Sequence, residues 1–276
     1  VSLKLIITIA LLSFGELCAQ NTSPVYGNDP EAGSFYIHYG VKIYYEIYGH
    51  GKPLVILHGN GGSIASRANL IPEFACHYMV IALDSRCHGK SDCPLGYLTY
   101  EQMASDLNAL LDYLKIDSAY IWGHSDGGIV GLLMAINYPK KVKKLLASGP
   151  NLRPDTTAID PALLPLLDKM WAVVKNDSIR SKQFRLLVDQ PHIKASDLGK
   201  IKAEVMIMGG DRDAVRNEHL LEIHEDIPGS LLCILPGTTH FVYADRQKWF
   251  VEILYDFLDT PSRLTTTAQL ISQQMK

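Results

Sequence analysis

The sequence predicts an α/β fold: a mostly parallel central sheet with helices on both faces and a small helical cap. Three observations predict it. Short apolar runs bounded by glycines recur along the chain, as PLVILHG, YMVIALDS, SAYIWGHS, KKLLASGP, EVMIMGGD and LLCILPG. Each has the length and unbroken aliphatic character of a strand buried on both faces. Helical patterns lie between them, and strands alternating with helices build a parallel sheet. One segment, about residues 150–200, carries helical stretches but no strand pattern, and reads as an inserted cap.

Composition narrows the class. A chain of 276 residues that is 47% hydrophobic and 20% charged is globular, which excludes disorder. Five cysteines are too sparse for a disulfide scaffold. A net charge of −3 and a pI near 6.4 lack the basic surplus of a nucleic-acid binder.

The elements follow in order. Lys4 precedes an apolar run from Leu5 to Phe14, and small and polar residues come after it. Residues 1–19 therefore read as a signal peptide cleaved after Ala19, leaving 20–276 as one α/β domain with the cap inserted at about 150–200. The run is too short to span a bilayer comfortably. The expected product is exported, to a periplasm or beyond, with no stable membrane insertion. Residues 34–48 alternate and turn at Tyr39-Gly40, as a β-hairpin does. Tyr100 to Leu114 puts Met103, Leu107, Leu110, Leu111 and Leu114 on one stripe, capped by Thr99. Gly127–Tyr138 and Trp249–Leu258 are further helices, and the cap carries helical stretches over Leu163–Val174 and Ser181–Val188. The tail beyond Pro261 is polar and expected to be loose.

The chemistry is concentrated in three places. Gly123-His124-Ser125-Asp126-Gly127 matches G-x-S-x-G where a strand ends and a helix begins. Such a turn thrusts the serine out over the sheet, and its tightness demands glycine on either side. A serine hydroxyl attacks only when a base takes its proton. The expected partners are an acid and then a histidine, each just past a strand end. Asp213, following EVMIMGG, is the expected acid, and Asp211 the residue that fixes the turn. His240, following LLCILPG, is the expected base. The third place is His58-Gly59-Asn60-Gly61-Gly62. Its backbone supplies an N–H for a developing oxyanion, from Asn60 with Gly61 next to it, and Asp126 supplies the second.

Other residues admit two readings. Asp126 either caps its helix or faces the pocket and attracts a cationic group. Trp171, with Met170 and Phe184, either lines an acyl pocket or packs the cap. Cys87 and Cys93 flank one loop and either bridge or stay free. His58 and His88 are expected to brace loops, and His219 and His224 to lie on a solvated helix face. No H-E-x-x-H motif is present, and neither a metal nor a cofactor is expected.

From the hairpin to His240, the motifs LHGNGG, DSRCHGKS, GHSDGG, GGDRD and GTTH stand in the order of the α/β-hydrolase superfamily, which the chain resembles in its short-cap, esterase-like branch. The GHSDGG elbow resembles that of small-ester hydrolases related to valacyclovir hydrolase. The resemblance implies a Ser125–His240–Asp213 triad under a cap and a small-molecule ester substrate. It leaves open a carbon–carbon bond hydrolase, a lactonase, an amidase or a receptor without turnover. One departure is visible: relatives read R-G-H-G where this chain has Cys87 as the second residue, which puts the conformation of that loop in question.

Overall fold

The computed structural model describes residues 24–262 and 265–275. The expected signal peptide lies outside the described residues. The hairpin forms as β1 (Gly33–His38) and β2 (Val41–Tyr48), with Tyr39 and Gly40 both at positive φ in the turn. The glycine-bounded runs become β3 (Lys52–Leu57), β4 (Tyr78–Leu83), β5 (Ala119–His124), β6 (Val142–Ser148), β7 (Glu204–Gly210) and β8 (Leu231–Leu235). They assemble one eight-stranded sheet in the order β1-β2-β4-β3-β5-β6-β7-β8. The pairings of β1 and β4 with β2 are antiparallel, and every other pairing is parallel.

Among the helices are α1 (Ile71–Ala75), α2 (Tyr100–Tyr113) and α3 (Asp126–Asn137). Thr99 caps α2 by accepting from the Gln102 amide, as the sequence predicts. Between β6 and β7 lie α4 (Leu164–Val174), α5 (Arg180–Asp189) and α6 (Ala195–Leu198), the helices of the expected cap. Then come α7 (Asn217–Asp226), α8 (Val242–Asp245), α9 (Gln247–Asp259) and α10 (Thr267–Gln274). The last lies in the polar tail after Pro261, is capped by Thr266 through the Gln269 amide, and buries none of its residues.

Alternation along the strands divides the core. Val55 and Leu57 point into the layer that holds Leu107, Leu110, Ile129 and Leu220 of α2, α3 and α7. Leu54 and Ile56 face Phe74, Trp122, Phe250 and Leu254, which brings in α1 and α9. Each such buried side chain contributes about 1.5–3 kcal/mol. A sheet covered on both faces leaves its strand ends free for chemistry.

Candidate active site

The site is built at the carboxyl ends of β5, β7 and β8. Ser125 joins β5 to α3 at φ 54° and ψ −118°, strained for a residue with a Cβ. Its amide donates to the Ser148 carbonyl at 2.8 Å, which holds the turn against β6. A Cβ on Gly123 would lie 2.0 Å from the Gly127 carbonyl oxygen, and one on Gly127 would lie 2.6 Å from the Leu57 carbonyl oxygen, so the turn requires the first glycine and its packing on β3 the second.

Asp213 and His240 meet. The imidazole Nδ1 lies 2.6 Å from Asp213 Oδ1, and the aspartate side chain is fully buried. The amides of Gly210 and Val215 donate to the same carboxylate at 3.2 and 3.0 Å, which fixes its orientation. Asp211 is turned elsewhere: its Oδ1 accepts from the Thr238 amide at 3.2 Å. The amides of Gly237 and Thr238 hold its carboxyl below the usual range. It fixes the turn, as expected. His240 packs against Gly149, where a Cβ would lie 2.6 Å from its Cε1, and Gly149 adjoins the Ser148 that anchors Ser125. Among the described residues His240 forms no hydrogen bond with Ser125 Oγ. Contacts of this kind commonly tighten only with substrate in place.

The amides of the His58–Gly62 loop are unequal. Gly61 donates to Nε2 of His88 at 3.1 Å, and Gly62 donates to the Gly59 carbonyl at 3.0 Å. Among the described residues, the Asn60 and Asp126 amides donate to no protein acceptor. Of the expected pair of N–H groups, both are therefore uncommitted, whereas the amide of Gly61 is occupied. His58 and His88 brace loops as expected. His58 contacts the Gly59 carbonyl through Nδ1 and accepts from the Ser85 amide through Nε2. Burial pushes its imidazole down to about 3.

Asp126 is 4% exposed. Its oxygens accept from the Tyr100 hydroxyl and from Asn60 Nδ2, each at 2.9 Å. Burial raises its carboxyl above the usual range, and these two hydrogen bonds work against that rise. Both oxygens being occupied, this geometry offers a cationic ligand little access. Trp171 of α4 packs against Phe184 of α5 with tilted rings whose centroids are 5.4 Å apart.

Three features escaped the sequence. Tyr100 enters the sequence reading only as the first residue of a helix, yet its hydroxyl holds Asp126. His124 is fully enclosed, its ring 4.7 Å from that of His240, and burial drives its imidazole far below the ordinary value. His219 corrects the expectation of a solvated face: it is 1% exposed, with Nδ1 2.8 Å from Glu222 and Nε2 accepting from the Leu152 amide. A histidine three residues before a glutamate on one helix was the available signal. Cys87 and Cys93 are joined in a disulfide. No cluster of metal-ligating side chains occurs among the described residues.

Known proteins agree with this architecture. The family model for the alpha/beta hydrolase fold matches residues 52–192. The chain is 27% identical to the uncharacterized hydrolase YugF of Bacillus subtilis, over 79% of this chain and 95% of the relative. It is 26% identical to 2-hydroxy-6-oxo-2,4-heptadienoate hydrolase of Pseudomonas putida, over 83% and 96%. Among solved structures, the esterase EaEST of Exiguobacterium antarcticum superposes with a TM-score of 0.74 at 25% identity, covering 83% of this chain and 100% of that one. With the elbow, the sheet order and the family match in agreement, the chain belongs to the alpha/beta hydrolase fold family.

Proposed function

We propose that this protein is a serine hydrolase that cleaves a small ester through an acyl-enzyme on Ser125. The observation that carries the reading is the 2.6 Å contact between Asp213 and His240, at the sheet edge where the strained Ser125 turn also ends. Ser125 Oγ attacks the ester carbonyl as His240 Nε2 takes its proton. The tetrahedral oxyanion is met by the Asn60 and Asp126 amides, which are free to donate. His240 then returns the proton to the departing alcohol, and a water activated by the same imidazole releases the acid. Asp213 holds Nδ1 as the protonated nitrogen and stabilises the imidazolium.

A carbon–carbon bond hydrolase is the second reading, favoured by the similarity to the Pseudomonas putida dienoate hydrolase. The disulfide favours an oxidising compartment, in keeping with export. The test is a panel of p-nitrophenyl and alkyl esters of graded acyl length, run beside a fluorophosphonate label and a ring-cleavage dienoate. We expect a label on Ser125 and multiple turnover on short esters, both lost in Ser125→Ala. Turnover of the dienoate alone selects the second reading. A receptor predicts neither a burst nor turnover.

A further inference from the structure

Cap, oxyanion loop and disulfide loop meet at one residue of α5. Gln183 accepts through its backbone carbonyl from Asn60 Nδ2 at 3.0 Å. Its side-chain Nε2 donates to the Cys87 carbonyl at 2.6 Å. Cys87 is bonded to His88, whose Nε2 accepts from the amide of Gly61, and Gly61 is bonded to Asn60. These links close a ring: Asn60, Gln183, Cys87, His88, Gly61 and back. The free amide of Asn60 lies on it.

The disulfide fixes one side of that ring. Cys87 sits at φ 62°, a left-handed conformation that a residue with a Cβ holds only when its surroundings impose it. Here the disulfide to Cys93 and the donation of the Cys87 amide to the Asp92 carbonyl at 3.0 Å impose it. Neighbouring cap residues grip both ends of the closed loop. Gln183 takes the Cys87 carbonyl, and Lys182 Nζ takes the Pro94 carbonyl at 2.6 Å.

We propose that Gln183 is a positioning residue that ties the docked cap to the oxyanion loop, and that the Cys87–Cys93 disulfide acts on turnover through it by holding the carbonyl it grips. The proposal rests on the reading of Asn60 as an oxyanion donor. In consequence, docking of the cap and alignment of the Asn60 amide are one event. Loss of the side-chain link leaves the Asn60 amide less well aimed at a charge that exists only in the transition state. Such a loss lowers kcat and leaves KM.

The test is a double-mutant cycle of Gln183→Met and Cys93→Ser in the whole protein. Methionine keeps the volume of glutamine and removes the donor. Each variant is assayed on p-nitrophenyl acetate, melted, and examined by amide hydrogen exchange with mass spectrometry. Gln183→Met is expected to lower kcat about threefold to tenfold, the scale of one neutral hydrogen bond, with KM within about twofold. Exchange of residues 59–62 should rise. Cys93→Ser should do the same, and the double variant should be no worse than the worse single one. A Gln183→Met protein with the wild-type kcat and unchanged exchange at residues 59–62 overturns the proposal, whatever its melting temperature. Effects that multiply in the double variant overturn the role of the disulfide. Absence of turnover and of a Ser125 label in the wild type would sink the ester-hydrolase reading instead, and the exchange measurement would still decide the coupling.

Discussion

Asp213 Oδ1 lies 2.6 Å from His240 Nδ1, while Asp211, two residues earlier on the same loop, points its carboxylate at the Thr238 amide. The two aspartates thus have separable roles. Asp213→Asn keeps the shape but presents an amide donor where the imidazole needs an acceptor. It should lower kcat by about four orders of magnitude, by analogy with the serine-protease triad. Asp211→Asn loses part of one turn hydrogen bond at the surface and should lower the melting temperature only slightly, with kcat near wild type. Ester assays on both variants, shown folded by circular dichroism, decide. A dead Asp211→Asn beside an active Asp213→Asn would reverse the assignment.

Glycine at position 149 should be indispensable for a reason separable from its backbone conformation. Gly149 and Gly40 both have positive φ, at 61° and 77°. A Cβ on Gly40 meets nothing within 4 Å, whereas on Gly149 it would press on His240 at 2.6 and 2.8 Å. Gly40→Ala should cost about 1–2 kcal/mol of stability and leave kcat unchanged. Gly149→Ala should pay the same backbone cost and also displace the imidazole from Asp213, lowering kcat by at least about tenfold. Equal activities in the two variants would show that His240 yields without harm.

The Arg86–Asp106 pair ties the loop before Cys87 to α2. Arg86 donates through Nε and Nη2 to the two carboxylate oxygens at 2.7 and 2.6 Å, with both side chains buried. Burial raises the Asp106 carboxyl, and the guanidinium opposes that rise. Asp106→Ala leaves a buried cation without its counter-charge and should cost about 3–5 kcal/mol in urea unfolding. Arg86→Met with Asp106→Leu should recover much of that loss. A double variant as unstable as Asp106→Ala would rule out the charge explanation.

The legible part of this molecule is the part governed by local pattern. Glycine-bounded aliphatic runs marked β3 to β8 because a strand covered on both faces has no polar face to alternate. The elbow was legible because Gly123 answers a contact within five residues, the Gly127 carbonyl, although Gly127 itself answers Leu57 on β3. The rest depends on distance in space. Whether Cys87 and Cys93 bridge is decided by where a left-handed turn points two Cβ atoms. His219 is buried because α7 lays that face on the segment leading into the cap at Leu152; its spacing to Glu222 marks a paired histidine but not the burial. Asp126 remained ambiguous in sequence because its partners, Tyr100 and Asn60, lie 26 and 66 positions away.

Acid should destabilise the fold through its buried neutral histidines. His58 falls from an ordinary 6.5 to about 3, first because burial removes the water that would solvate the cation, and then because the His88 ring lies 5.0 Å away. His124 and His219 are also lowered, both chiefly by burial. For a histidine whose folded value is depressed, the unfolded chain binds the proton first. Its contribution is therefore complete above about pH 6.5 and drains as pH falls toward the folded value. Glu222, lowered to about 2 mainly by its hydrogen bond from Arg153, adds its own loss only below about pH 4.5. A window from pH 7.5 to 5 excludes Glu222, and the buried carboxyls of Asp84, Asp106 and Asp126, raised by burial and so protonated first in the folded chain, oppose the histidines toward its acid end. Across it the melting temperature should fall, with a slope of up to about three protons per molecule. His58→Gln keeps a donor for the Gly59 carbonyl and cannot be protonated. Its curve should start lower at pH 7.5, because the acceptor for the Ser85 amide changes, and then fall less steeply, since only His124 and His219 remain. Thermal melts at half-unit pH steps measure both slopes. Parallel curves would mean that His58 takes up its proton in the folded protein at its ordinary value, and that the acid limb belongs to other groups.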